Sequence, residues 1–88
     1  MEIMSIRTRK DRKRTYYTPI MNGIKYGEHY HNIAHALGLS IMKYNLILKK
    51  YGALNHRWGY YFPTLELARA FNESDELLGL LVMNKLIE

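Results

Sequence analysis

The stretch from Tyr30 to Tyr51 constrains this chain most, because its spacing fits two short helices joined by a tight turn. Ile33, Ala34 and Leu37 recur at helical spacing, Gly38 breaks the run, and Leu39-Ser40 restart it. Ser40 is a natural N-cap, its hydroxyl accepting a bond from an orphan N–H of the next turn. Gly38 supplies the positive φ that a sharp turn demands, and Ala34, a small residue one turn earlier, lets two helices cross closely. The spacing predicts a first helix from about Glu28 to Leu37 and a second from Ile41 to about Tyr51. Tyr44, Ile47, Leu48 and Tyr51 then share one face of the second helix. Together these are the marks of a helix-turn-helix.

The flanks extend that unit. Gly52 stands where a C′ glycine ends a helix, with Lys49 and Lys50 in the last turn, where cations suit the helix dipole. Residues 53–62 are aromatic, β-prone, interrupted by Gly59 and closed by Pro63, which predicts a short hairpin. A hairpin directly after a helix-turn-helix is a wing. Thr64 caps a short helix to Phe71 with Leu65, Leu67, Ala68 and Phe71 inward, and Ser74 caps a last helix from Asp75 to Ile87. That last helix is apolar around nearly its whole circumference, so burial on two sides is expected, one of them against a second copy or another protein. Between Tyr16 and Lys25 the residues favour extended backbone, Asn22-Gly23 is a hairpin signal, and a short strand is expected near Ile24 to Tyr26.

Charge is distributed unevenly. The chain carries a formal net charge of +5, yet Arg7, Arg9, Lys10, Arg12, Lys13 and Arg14 crowd one end, while Thr64 to Glu88 is acidic. The basic end reads as lacking helical or strand periodicity, and like charges repel, so residues 1–15 are expected as a flexible arm and 16–88 as the folded domain. A polyanionic partner is implied, met by phosphate or minor-groove contacts from the arm. The chain has no cysteine, so no disulfide framework or thiolate metal site is expected. The longest apolar run, Leu77 to Met83, is too short for a bilayer span, and the opening lacks a signal-peptide pattern. A soluble cytoplasmic protein with no membrane partner is expected.

Ala34, Leu37, Gly38, Leu39, Ser40, Asn45, Leu48, Gly52 and Trp58 are the positions at which residues 37–64 and their approach resemble the C-terminal DNA-binding region of phage antirepressors of the KilA-C kind. The resemblance covers about a third of the chain. It implies a phage or prophage regulatory protein acting in the host cytoplasm. The chain is shorter than such antirepressors and lacks their separate N-terminal domain.

The outward stripe of the second helix is Ser40, Ile41, Met42, Asn45, Leu46 and Lys49. Asn45 has the groups for a bidentate bond to adenine, and Lys43 and Lys49 suit phosphate. Ile41, Met42 and Leu46 neither donate nor accept, so this face is also a candidate protein contact. On the wing, Arg57 is a candidate phosphate or minor-groove contact, and Trp58 either stacks on a base or packs the hairpin onto the helices. Glu28, His31 and His35 share a helical face, but no fourth ligand converges, so no metal and no cofactor are expected. The three serines lie in no nucleophile motif and no glycine-rich phosphate loop follows a strand, so an enzyme is not expected.

The sequence therefore predicts a mainly α fold with a small β-hairpin wing, a winged helix-turn-helix, that binds duplex DNA as a small transcriptional or replicative regulator. Two other readings stand beside it. One is docking on a host protein through Ile41, Met42, Leu46, Leu78, Leu81 and Val82, with homodimerisation through the last helix as a variant. The other is RNA binding by the basic arm and the wing.

Overall fold

In a computed structural model, which describes residues 3–57 and 59–87, the chain is a small α+β fold. The element order is β1 (Met4–Lys10), β2 (Thr15–Met21), α1 (Tyr30–Ala36), α2 (Ile41–Lys50), β3 (Leu54–His56), β4 (Gly59–Tyr61), α3 (Leu65–Asn72) and α4 (Asp75–Met83). The strands form two antiparallel hairpins, β1 with β2 and β3 with β4.

The first hairpin corrects the expectation of a flexible arm over residues 1–15. Met4 faces Met21 and the register runs without a bulge to Lys10 opposite Thr15. Met4-Ser5-Ile6-Arg7 does alternate apolar and polar, with period two, which is the signature of a strand with one buried face. Only the partner strand makes that alternation worthwhile, since Met4 and Met21 are both buried in the core. Asn72 Nδ2 also donates to the Ser5 carbonyl oxygen at 3.1 Å, fastening β1 to α3.

Backbone parity explains how β2 tolerates a proline. Tyr17 N–H and C=O both bond Phe62, at 3.1 and 2.7 Å, and Met21 N–H donates to Gly27 C=O at 2.9 Å. Residues 17, 19 and 21 therefore turn their backbone polar groups away from β1. Pro19, at the middle of that series, lacks a donor only on the side where β1 does not need one. The Tyr17–Phe62 bridge joins the two hairpins edge to edge.

The expected strand near Ile24 to Tyr26 is instead a series of turns, with Gly23 at φ +88° and Tyr26 at φ +57°. The Asn22-Gly23 turn does not close a hairpin. It leads the chain back so that Gly27 lies on the Met21 carbonyl, where an added Cβ would overlap that oxygen.

The central helix pair follows the sequence pattern closely. Ser40 Oγ accepts from Lys43 N–H, Thr64 Oγ1 from Leu67 N–H and Ser74 Oγ from Leu77 N–H, each at 3.2 Å. At the end of α1, Gly38 takes φ +72°, and the amides of Gly38 and Leu39 bond the His35 and Ala34 carbonyls at 3.0 and 2.9 Å. That is a Schellman closure, and α2 repeats it with Gly52 and Ala53. Behind the α1–α2 turn, Asn84 Nδ2 donates at 2.8 Å to both Leu37 and Leu80 carbonyls, tying the turn to the end of α4.

The last helix is shorter than the expected Asp75 to Ile87. It closes at Met83 with a third Schellman pair, Lys85 N–H to Val82 and Leu86 N–H to Leu81, and Lys85 itself takes φ +58°. The turn lets Leu86 and Ile87 fold back on the core. Its apolar surface divides: Leu77 and Leu81 are buried, while Leu78, Val82 and Met83 are exposed. Phe71 is the hub of the core, with Phe62, Tyr51 and Tyr44 rings at 5.5, 5.8 and 6.3 Å.

Two substitutions test these closures. Lys85→Gly relieves a left-handed side-chain position and raises stability by about 0.5–1 kcal/mol. Gly27→Ala forces the backbone off Met21 and lowers it by about 2 kcal/mol or more. Urea midpoints at constant m-value check both.

Candidate nucleic-acid interface

The turn between β1 and β2 carries the densest charge in the chain, and it is an ordered structure. Asp11 Oδ1 accepts from the Lys13 and Arg14 amides at 2.9 and 3.0 Å, and Asp11 N–H bonds the Arg14 carbonyl at 3.1 Å. The carboxylate's second oxygen accepts from Tyr16 Oη–H at 2.7 Å. The Lys13 amide, then the Tyr16 phenol and the Arg14 amide, hold the Asp11 carboxyl below its ordinary range, and the same bond to Asp11, with burial, pushes the Tyr16 phenol up. The one acid of the turn is thus occupied by the turn's own donors. The sequence did carry this signal: aspartate followed by polar residues before a β-prone run is an Asx turn, which the surrounding charge obscured.

Arg14 reaches across to the second hairpin. Its Nη1 donates to Tyr61 Oη at 3.0 Å, and this bond favours its charged form. Around that link Tyr16, His56 and Tyr61 pack edge to face, Tyr16 lying 5.0 Å from His56 and 4.7 Å from Tyr61. The hairpins are therefore locked with their tips together. Arg12, Lys13 and Arg14 from one tip and Arg57 from the other border a single groove. Arg14 is in part a structural residue, since its guanidinium spans the hairpins. Arg12, Lys13 and Arg57 are exposed.

Farther down β1, Arg7 and Arg9 alternate on one face opposite Thr18 and Tyr16 and border a second cleft over α1 and α2. Lys10 is exposed at the end of the strand. Seven cations expected from the sequence, Arg7, Arg9, Lys10, Arg12, Lys13, Arg14 and Arg57, thus belong to the two hairpins.

The second helix gives a mixed result. Lys43 and Lys49 are exposed, and Ser40 is exposed with its hydroxyl oxygen serving as the cap. Asn45 departs from the expected base reader: it is half-buried, and its amide oxygen is shut away without a hydrogen-bond partner among the described residues. Its acceptor is therefore not offered to a base. Ile41, Met42 and Leu46 are 45%, 75% and 60% exposed, so this helix does present an apolar stripe to solvent. In the expected protein-contact set Leu81 is the exception: at 3% exposure it is core, whereas Leu78 and Val82 are open. Leu81 points at the core because α4 turns that face inward, alongside Leu77.

Trp58 lies outside the described residues. Glu28 precedes α1 and meets His29 at 3.6 Å, while the His29 and His31 rings stack at 5.7 Å, so Glu28, His31 and His35 do not converge as a ligand set. No group of three or more His, Asp or Glu able to hold a metal ion is found among the described residues. No described helix is long and apolar enough to cross a membrane. Comparison with family models, with curated proteins and with solved structures finds no match.

The Asp11 clamp makes the tip pH-sensitive in a defined direction. Its folded-state pKa is depressed, so its contribution is present above the ordinary carboxylate range near pH 4 and is lost as pH falls through the folded value. In an NMR titration, Asp11 is expected to titrate below that range, and Asp11→Asn to broaden the Lys13 and Arg14 amides at neutral pH while leaving α2 unchanged.

Proposed function

We propose that this chain is a small DNA-binding regulatory protein of the winged helix-turn-helix kind, which grips duplex DNA mainly through its two basic hairpin tips. The observation that carries the reading is the convergence of Arg12, Lys13 and Arg14 with Arg57 on one groove, where the only acid among the described residues lining it, Asp11, is held by the turn itself. Such a cluster has a high positive potential and the breadth to track a phosphate backbone, which supplies most of the affinity of a non-specific contact. The exposed α2, entered through Gly38 and capped by Ser40, has the form of a helix that lies against a groove, with Lys43 and Lys49 toward phosphate. Its apolar stripe suits thymine methyl groups and shape more than hydrogen-bonded base reading. The KilA-C resemblance, with its implied phage regulatory role, agrees with this reading and rests on the residues of the α1–α2 turn.

A second reading is favoured by one observation, the exposure of Ile41, Met42 and Leu46 together on α2. In that reading α2 docks on a host protein and the cations only steer the approach.

Fluorescence anisotropy with a generic blunt duplex, titrated from 50 to 200 mM salt, separates the two. The DNA reading expects a steep negative slope of log K against log salt, which Arg12→Ala combined with Lys13→Ala makes shallower by about 1.8, at about 0.9 per phosphate contact. Met42→Lys is expected to leave that binding intact or tighten it. Absence of duplex binding at 50 mM salt, with the variant and parent equally folded by circular dichroism, overturns the proposal.

A further inference from the structure

The outer edge of β1 is open. Met4, Ile6 and Thr8 stand opposite Met21, Pro19 and Tyr17. Tyr17 and Met21 direct backbone groups to Phe62 and Gly27, away from β1. The alternation of an antiparallel ladder therefore turns the backbone groups of Met4, Ile6 and Thr8 away from β2. Those of Ile6 and Thr8 find no hydrogen-bond partner among the described residues. Thr8 is exposed and Ile6 half-buried, so nothing in the strand itself shields them. An unpaired row of this kind is a template for another strand.

A groove of about 510 Å³ lies beside the start of that edge, lined by residues 3–6 on one side, by α3 and α4 on the other, and by no described residue of β2. Ile6, Leu78, Leu81 and Ile87 make it apolar. Leu81 is core at 3% exposure, whereas Leu78 is 49% exposed and open to a partner. Arg69 and Glu73 border the groove with one charge of each sign. Toward the tip, β1 carries Arg7, Arg9 and Lys10 and no acid. The edge is thus apolar at its start and cationic at its end. A strand laid antiparallel to β1 runs from tip to groove, so its first residues meet the cations and its last meet the groove.

We propose that the β1 edge binds an extended segment of another protein, acidic in its N-terminal half and apolar in its C-terminal half, as a third strand antiparallel to β1. Its backbone pairs with Ile6 and Thr8, its acids meet Arg7 and Lys10, and its apolar side chains enter the groove beside Ile6, Leu78 and Ile87. The inference goes beyond the DNA reading and does not depend on it. Backbone bonds supply the affinity of such an addition, and alternate side chains its specificity. Charge decides the occupant. A second copy of β1 centred on Thr8 would set Arg7 opposite Arg9, and like charges placed opposite each other destabilise a strand pair. Cations on an edge strand keep identical edges apart in this way. An acidic strand meets attraction instead.

The test is an NMR titration of the full chain with a capped synthetic peptide that alternates glutamate and threonine in its N-terminal half and valine and threonine in its C-terminal half. Saturable binding is expected, with the Ile6 and Thr8 amides shifting downfield and gaining protection from hydrogen exchange. Thr8→Pro removes an outward donor and, like Pro19 on β2, none from the β1–β2 ladder. It is expected to weaken the peptide about fivefold, the loss of one hydrogen bond, whereas Thr8→Val binds as the parent does. Leu78→Ala is expected to weaken it about fivefold through lost apolar contact. A peptide with lysine in place of glutamate is expected not to bind. Where Thr8→Pro disturbs the hairpin, as read from the Lys13 and Arg14 amides, the peptide N-methylated at alternate amides puts the same question to the parent chain, and it is expected not to bind. No saturation at millimolar peptide, or equal binding by the N-methylated peptide, overturns the proposal. A dimer in sedimentation that Thr8→Pro dissociates also overturns it, and assigns the edge to a second copy.

Discussion

Two hydrogen bonds between Tyr17 and Phe62 hold this fold in its working shape. They are the only backbone hydrogen bonds between the hairpins among the described residues, and everything charged depends on where those hairpins lie. With Tyr17 paired, β2 turns Tyr16 toward His56 and Tyr61, and Phe62 passes into the core against Phe71. The same short segment therefore aligns the basic tips and nails the second hairpin to the helices. Two-stranded ribbons are marginal alone, and each of these is stabilised by the other and by the helices beneath.

Around that junction, charge is arranged so that the cations stay available. Asp11 bonds turn amides and a tyrosine, and it makes no ion pair with Arg12 or Lys13. Arg14 is shared between a structural bond and the surface. The ion pair Lys50–Glu76, at 3.1 Å, ties α2 to α4 on the far side. Being largely solvent-exposed, it contributes little to stability.

The helices follow local rules that were legible in single residues. Ser40, Thr64 and Ser74 cap as expected, and Gly38 and Gly52 take the positive φ their positions demanded. Lys85 closes α4 in the same left-handed geometry with no glycine to announce it, so the apolar pattern runs four residues beyond the end of that helix. The first strand was missed for a different reason: its charge density suggested repulsion, whereas cross-strand partners and Asn72 supply the order.

The sequence by itself determined the α1–α2 pair, its caps and closures, the second hairpin and the basic character of one end, because each depends on residues within a turn or two of one another. Tertiary structure decided that the basic end is a strand and an ordered tip, that Asn45 turns its acceptor inward, that Leu81 is core while Leu78 and Val82 are not, and that Arg7, Arg9 and Tyr44 meet at one cleft. Those outcomes require partners far away along the chain, and the pattern within a segment fixes which face is apolar without fixing what that face will find.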